Sequence, residues 1–270
     1  MASGSLHIET PYRRSHSLSK VSGLEIYLKL ENVQPPGSFK IRGIGHLCQK
    51  SAAEGCKRFV CSSGGNAGMA AAYAARCLNI PISLFVPKST PQFTVERLEE
   101  EGAEVTVVGS AWDDTNEHAL EFAKELGNVY ISPFNHPDIW EGHASLIDEI
   151  DEKPDLVICS VGGGGLLCGM VQGLKRRGWN DVPVLAVETI GAHSFFEAVH
   201  AGKLVTLPAI TSIAKSLGAK TVASAALQAT KDHPIVPCTV SDRDTVIALA
   251  KFLGRVLLNC SFLKYVIFIF

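Results

Sequence analysis

Between Glu25 and Val187 short apolar runs alternate with stretches of helical period, and this alternation limits the possible folds more than any other feature. Glu25–Leu30 reads as a strand, the Gln34-Pro35-Pro36-Gly37 stretch breaks the chain, and Ile41–Lys50 fits a helix. Arg58–Cys61 reads as a strand, Ala67–Leu78 as an Ala-rich helix, Ile82–Val86 as a strand and Phe93–Glu101 as a helix. Glu104–Val108 and Trp112–Leu126 extend the series by one strand and one helix. Parallel strands need crossover connections, usually helical, so the rhythm predicts an α/β fold with parallel sheets. After a looser stretch at Ser132–Pro137, the rhythm resumes with a strand at Leu156–Ser160, a helix to Arg177 and a strand at Val184–Val187. The strand at Leu156–Ser160 is almost continuously apolar, which predicts cover on both sheet faces.

At about 100–200 residues per domain, a chain of this length makes one large domain or two modest ones. The pattern is read as two lobes of parallel sheet with flanking helices. Residues 1–39 and 138–270 form the larger lobe and residues 40–137 the smaller, with the cleft between them as the default ligand site. The chain is 46% apolar, which excludes a disordered or fibrous class. With 25 basic against 27 acidic residues and no basic run, neither nucleic acid nor an anionic membrane surface is expected as the main partner. None of the eight cysteines forms a CxxC pair, which disfavours a zinc site or redox dithiol and suits a reduced, cytosolic protein. Met1–Arg14 has no apolar h-region, so no secretory signal is expected. Lys251–Phe270 closes on a dense apolar run, too short and interrupted for a spanning helix. A buried strand is the alternative there.

Three glycine-containing turns and one acid are candidates for chemistry. Pro36-Gly37-Ser38-Phe39-Lys40 presents a lysine where a helix begins, close to Arg42. The helix dipole and a nearby cation favour the neutral amine, the form that attacks a carbonyl. A solvated lysine is the plainer reading of the same residues. Ser62-Ser63-Gly64-Gly65-Asn66 joins a strand to a helix, where free N–H groups can receive a carboxylate or phosphate. A capped turn ahead of a packing helix explains it equally well. Gly162 to Gly165 is an entropically costly run between a buried strand and a helix, and a phosphate at the helix N-terminus explains it best. It matches neither a Walker loop nor GxGxxG. Glu188 ends a strand and could hold a ribose, ligate a cation or cap the next helix.

Together, SFKIRG (38–43), SSGGNAG (62–68) and GGGGLLCG (162–169) resemble the serine/threonine dehydratase family of pyridoxal-phosphate enzymes, its animal members above all. The resemblance runs from about Leu6 to about Phe252 and includes ETIGAHSF, AGKLVTLP and KSLGAKTV. It implies the tryptophan-synthase-β-like fold, pyridoxal phosphate as cofactor, and β-elimination of L-serine or L-threonine to a 2-oxo acid and ammonia. By the same resemblance Lys40 joins the cofactor aldehyde and then acts as general base. Phe39 stacks on the pyridine ring and Asn66 bonds its 3-oxygen. Gly162, Gly163, Gly164 and Gly165 hold the phosphate, and Ser63, Gly64 and Asn66 receive the substrate. Glu188 with the main chain near Ala192, Leu217 and Ala219 forms a monovalent cation site, potassium by expectation. A homodimer is also implied.

The chain departs from that pattern in three places. Gly64 and Ser216 stand where the family's liver-type members carry Ala, and lower activity or an altered substrate preference is the expected consequence. From about Leu253 the resemblance stops, so the family's later Cys/Ser-Gly-Gly-Asn segment, facing the pyridine nitrogen, has no counterpart. A retained intron or a mispredicted gene end is the expected origin of the apolar tail. A binding-only remnant and a serine racemase activity are therefore the alternatives to a working lyase.

Overall fold

The computed structural model describes residues 4–110, 112–255 and 266–269. The chain opens with β1 (Tyr12–Arg14), α1 (His16–Ser22) and β2 (Ile26–Lys29), followed by α2 (Lys40–Ala53) and β3 (Arg58–Cys61). Next come α3 (Asn66–Leu78), β4 (Ile82–Val86), α4 (Gln92–Glu100), β5 (Glu104–Val107), α5 (Trp112–Phe122) and β6 (Asn128–Tyr130). The remainder comprises α6 (Pro137–Asp148), β7 (Leu156–Ser160), α7 (Gly165–Arg176), β8 (Val184–Thr189), α8 (Ser194–Ala201), α9 (Ser224–Ala229), β9 (Ile235–Val240), α10 (Asp242–Arg255) and β10 (Val266–Ile269). Two compact units result: Met1–Ile8 with Gln34–Gly142, and Glu9–Val33 with His143–Phe270.

The first unit holds a wholly parallel sheet in the order β5-β4-β3-β6. All five residues of β4 are buried, as expected for an interior strand covered on both faces. Ala67, Ala70, Ala71, Ala74 and Ala75 bury the small-residue face of α3. Ile41, Ile44, Leu47 and Cys48 of α2 belong to the same core. Arg58 stitches three strands together, donating to Ser83 Oγ at 2.8 Å and to both Glu104 carboxylate oxygens at 2.6 and 3.2 Å. The helix expected over Trp112–Leu126 stops at Phe122, which leaves Leu126 95% exposed. Leu126 is apolar without being core, and this misled the periodicity.

The second unit has a mixed sheet, β1-β2-β10-β7-β8-β9. The expected parallel pairing holds for β7, β8 and β9, with Val157 opposite Val184 and Val184 opposite Ile235. It does not extend to β1, β2 and β10, which pair antiparallel, β10 with both β2 and β7. Both faces of β7 are covered, one more fully than the other. Val157 and Cys159 are buried, while Leu156, Ile158 and Ser160 on the other face are half-buried. Buried Lys29 ties β2 to its surroundings, donating to Thr10 O at 2.7 Å and pairing with Glu149 at 2.6 Å. Of the apolar tail, 251–255 complete α10 and 266–269 form β10, an interior strand by its sheet order. The intervening 256–265, and Phe270, lie outside the described residues. Among the described residues no helix is long and apolar enough to cross a membrane. The described cysteines are free thiols.

Candidate active site

In the first unit the turn through Pro35 and Pro36 closes by the Gly37 N–H, which donates to Gln34 O at 2.7 Å. Phe39 then caps α2 with no side-chain hydrogen bond, and Lys40 is the first helical residue. The Lys40 ammonium donates to Pro133 O at 2.6 Å and lies 5.4 Å from the Phe39 ring centroid. Lys40 is half-buried, and desolvation of its amine lowers the pKa to about 8, against a smaller opposing influence from Cys61. The direction agrees with the sequence argument, but the leading cause is burial rather than the dipole or Arg42. Burial pushes the neighbouring Cys61 thiol up to about 12, so it stays protonated beside the amine. Nothing in the sequence marks Pro133 as the amine's acceptor, because the contact spans 93 positions.

The second turn, also in the first unit, leaves β3 at Ser62. The Ser63 carbonyl lies so close to α3 that a Cβ on Gly68 would stand 1.8 Å from its oxygen. Glycine at 68 is therefore what lets the helix begin against the loop. Ser63 Oγ accepts the Gly65 N–H at 3.3 Å. Gly64 faces Val86 and Thr90, whose carbons would lie 3.2 and 3.3 Å from an added Cβ. An alanine there would need those side chains to yield slightly. Asn66 opens α3 half-exposed, and no hydrogen bond engages its amide among the described residues.

In the second unit β7 runs into Gly162–Gly165. Gly164 has φ +86°, and a Cβ on it would stand 2.7 Å from the Ala226 Cβ. Both the backbone angle and the space therefore demand glycine. The Gly163 carbonyl accepts the Ala223 N–H at 3.0 Å and that of Gly164 accepts the Cys168 N–H at 2.9 Å. These acceptors are used inside the protein, while no side chain caps the first turn of α7. Unpaired N–H groups at the start of a helix are anion donors.

Glu188 ends in a different role from a ribose ligand. Its two carboxylate oxygens accept the N–H groups of Phe195 at 3.0 Å and Phe196 at 2.7 Å, capping α8 from seven residues upstream. Burial pushes it up to about 7, more than those two N–H bonds pull it down. Ser194 Oγ donates to Ala219 O at 2.9 Å, the Ala219 N–H to Leu217 O at 2.8 Å and the Ala192 N–H to Thr189 O at 2.8 Å. Because the folded state disfavours the ionised carboxylate, the contribution of Glu188 to stability is most favourable below about pH 4.5, falls towards pH 7 and stays low above it. The effect is about 3 kcal/mol in all. Glu188→Gln is therefore expected to flatten the fall in stability between pH 5 and 8, read by urea unfolding of the apoprotein in potassium-free buffer. An unchanged pH dependence would contradict the assignment. Among the described residues, His46, Asp138 and Glu141 also meet at metal-ligand spacing, but the Lys50 ammonium already pairs with Asp138.

Residues 5–258 match the family described as "Pyridoxal-phosphate dependent enzyme". The chain is 56% identical over 257 residues to the human "L-serine dehydratase/L-threonine deaminase", covering 93% of this chain and 78% of that protein. It is 54% identical over 251 residues to the rat "Serine dehydratase-like" protein, covering 92% and 76%. The crystal structure of a fungal L-serine ammonia-lyase from Rhizomucor miehei superposes with a TM-score of 0.90 at 36% identity, covering 94% of this chain and 83% of that one.

Proposed function

This chain belongs to the family of pyridoxal-phosphate-dependent enzymes, and we propose that it deaminates L-serine, and L-threonine with it, to a 2-oxo acid and ammonium. The observation that carries this reading is Lys40, an amine at the head of α2 whose desolvation brings it to about 8. At pH 7 roughly a tenth of such an amine is neutral, some 300-fold more than for an ordinary lysine. A carbonyl-capturing lysine needs that neutral fraction.

The residues present fit the cofactor. A cradle in which an added side chain would collide with Ala226 suits a phosphate at Gly162, Gly163, Gly164 and Gly165. Lys40 supplies the amine for the aldehyde, Phe39 a ring to lie against the pyridine, and Asn66 an amide, engaged by no hydrogen bond among the described residues, for the 3-oxygen. When bound, pyridoxal phosphate supplies an electron sink for the carbanion at the substrate Cα. Ser63, Gly64 and Asn66 receive the substrate carboxylate through main-chain N–H groups and the amide. Lys40 Nζ takes the Cα proton as general base. The β-hydroxyl leaves as water, and the released product takes up one water to give ammonium with pyruvate, or with 2-oxobutyrate from threonine.

A monovalent cation, potassium by preference, is assigned to Glu188 and the carbonyls near Ala192, Leu217 and Ala219. Hard oxygen donors support this, as does a buried carboxylate with no cation paired to it among the described residues. The carbonyls of Leu217 and Ala219 each accept one hydrogen bond and keep a second lone pair.

The test is product analysis of the purified chain with pyridoxal phosphate and L-serine in potassium buffer. Pyruvate and ammonium are expected in equal amounts, with the residual serine all L. D-serine without pyruvate would favour racemisation. Cofactor attachment with neither product would mean a binding-only chain.

A further inference from the structure

Three oxygens from distant parts of the first unit meet beneath the turn that leaves β3. Ser62 Oγ lies 2.7 Å from Asn116 Oδ1 and 3.0 Å from the Tyr130 hydroxyl. Tyr130 donates to the same Asn116 oxygen at 2.5 Å. One turn earlier in α5, the Trp112 indole N–H donates to Ser62 O at 2.8 Å. Ser62 itself is fully buried. Its hydroxyl and its carbonyl are therefore both held by elements other than β3, which it follows: α5 and the end of β6. Burial pushes the Tyr130 phenol up to about 12, so it remains a hydroxyl donor at any working pH.

The next residues are the ones assigned to the substrate carboxylate. Ser63 O is pressed against the start of α3 at Gly68, and the loop beyond it is half-exposed at Gly64 and Asn66 and exposed at Gly65. An anion held by main-chain N–H groups is bound only as well as those groups are aimed. A misplacement of about 1 Å can cost 10²-fold in rate. Apolar side chains could fill the space under Ser62 at little cost in stability, whereas two hydroxyls converging on one amide oxygen define one position.

We infer that Asn116 and Tyr130 are positioning residues, which fix Ser62 and thereby aim the Ser63–Asn66 loop at the carboxylate of the amino-acid substrate. Neither touches the substrate. The inference rests on the reading of Ser63, Gly64 and Asn66 as the carboxylate site.

Tyr130→Phe removes one donor and Asn116→Leu removes the shared acceptor, while Asn116→Asp keeps an acceptor at the same place. Two measurements on the cofactor-loaded full chain decide the matter. In Tyr130→Phe, which loses one buried hydrogen bond, KM for L-serine is expected to rise about 10-fold, and in Asn116→Leu, which loses two, at least as much. Attachment of the cofactor to Lys40 should stay complete, and Asn116→Asp should bring KM back towards the wild-type value. Amide hydrogen exchange over Ser63–Asn66 should quicken about 10-fold in the same two variants, with β4 unchanged. An unaltered KM in Tyr130→Phe would overturn the inference, even with faster exchange. Loss of cofactor attachment alongside KM would also overturn it, since the effect would then be general unfolding. A wild-type chain that yields no 2-oxo acid would count against the lyase reading, and the exchange measurement alone would then decide whether the triad fixes the loop.

Discussion

Replacing Lys40 with alanine is expected to lower pyruvate release from L-serine by at least about 100-fold, the contribution of a positioned general base. It should also abolish borohydride-stable attachment of pyridoxal phosphate. The pH dependence of that attachment is the more discriminating half of the experiment. With the amine at about 8, the neutral fraction and the rate of attachment rise with pH and level off above about 8. A solvated lysine would keep rising beyond pH 10. Because burial is the leading cause of the depression, a change that admits water around Lys40 should move the plateau to higher pH. Attachment that still climbs between pH 9 and 10 in the wild-type chain would show that the amine is not desolvated.

The second large effect is structural. Ile267→Pro is expected to destabilise the second unit by at least about 2–3 kcal/mol, through a lost ladder hydrogen bond and a ring that cannot sit in an interior strand. Ile267 stands between Leu28 of β2 and Ile158 of β7, so either neighbour loses its pairing. Domains keep only about 5–15 kcal/mol of net stability, so the urea midpoint should fall sharply. A proline on the outermost strand makes the contrast. Pro237 already sits in β9, which pairs on one side only with β8, and is tolerated there. An unchanged midpoint for Ile267→Pro would mean that 266–269 do not hold the middle of this sheet in solution.

What could be read from the chain, and what could not, divides by distance along the sequence. Arg58–Cys61, Ile82–Val86 and Leu156–Ser160 are strands to the residue, because each is a short apolar run closed by turn residues. The helix after Ser62–Gly65 and the helix after the glycine run are equally plain. The short β6, Asn128–Tyr130, has too few residues to show a period, and α6 starts at Pro137, inside a stretch that resembles a loop. Proline suits the first position of a helix, so that start was available in the sequence but competes with the turn reading. The antiparallel placement of β10 has no local signature, since register with β2 and β7 depends on residues more than 100 positions away.

The candidate site follows the same division. Lys40, Asn66 and the glycines stand out because each sits at a turn with its own sequence mark. The Glu188 carboxylate reads three ways in isolation, and only the positions of the Phe195 and Phe196 N–H groups show that it caps α8. Asn116 and Tyr130 carry no mark at all. They reach Ser62 across 54 and 68 positions, and such contacts exist only once β3, α5 and β6 are assembled.

The most direct test of the central claim is where the cofactor attaches. The purified wild-type chain would be loaded with pyridoxal phosphate at pH 8, reduced with borohydride, digested and mapped by mass spectrometry. The account predicts one stoichiometric pyridoxyl group, on the peptide that contains Lys40. Label spread over several lysines, or concentrated on any other, would contradict it.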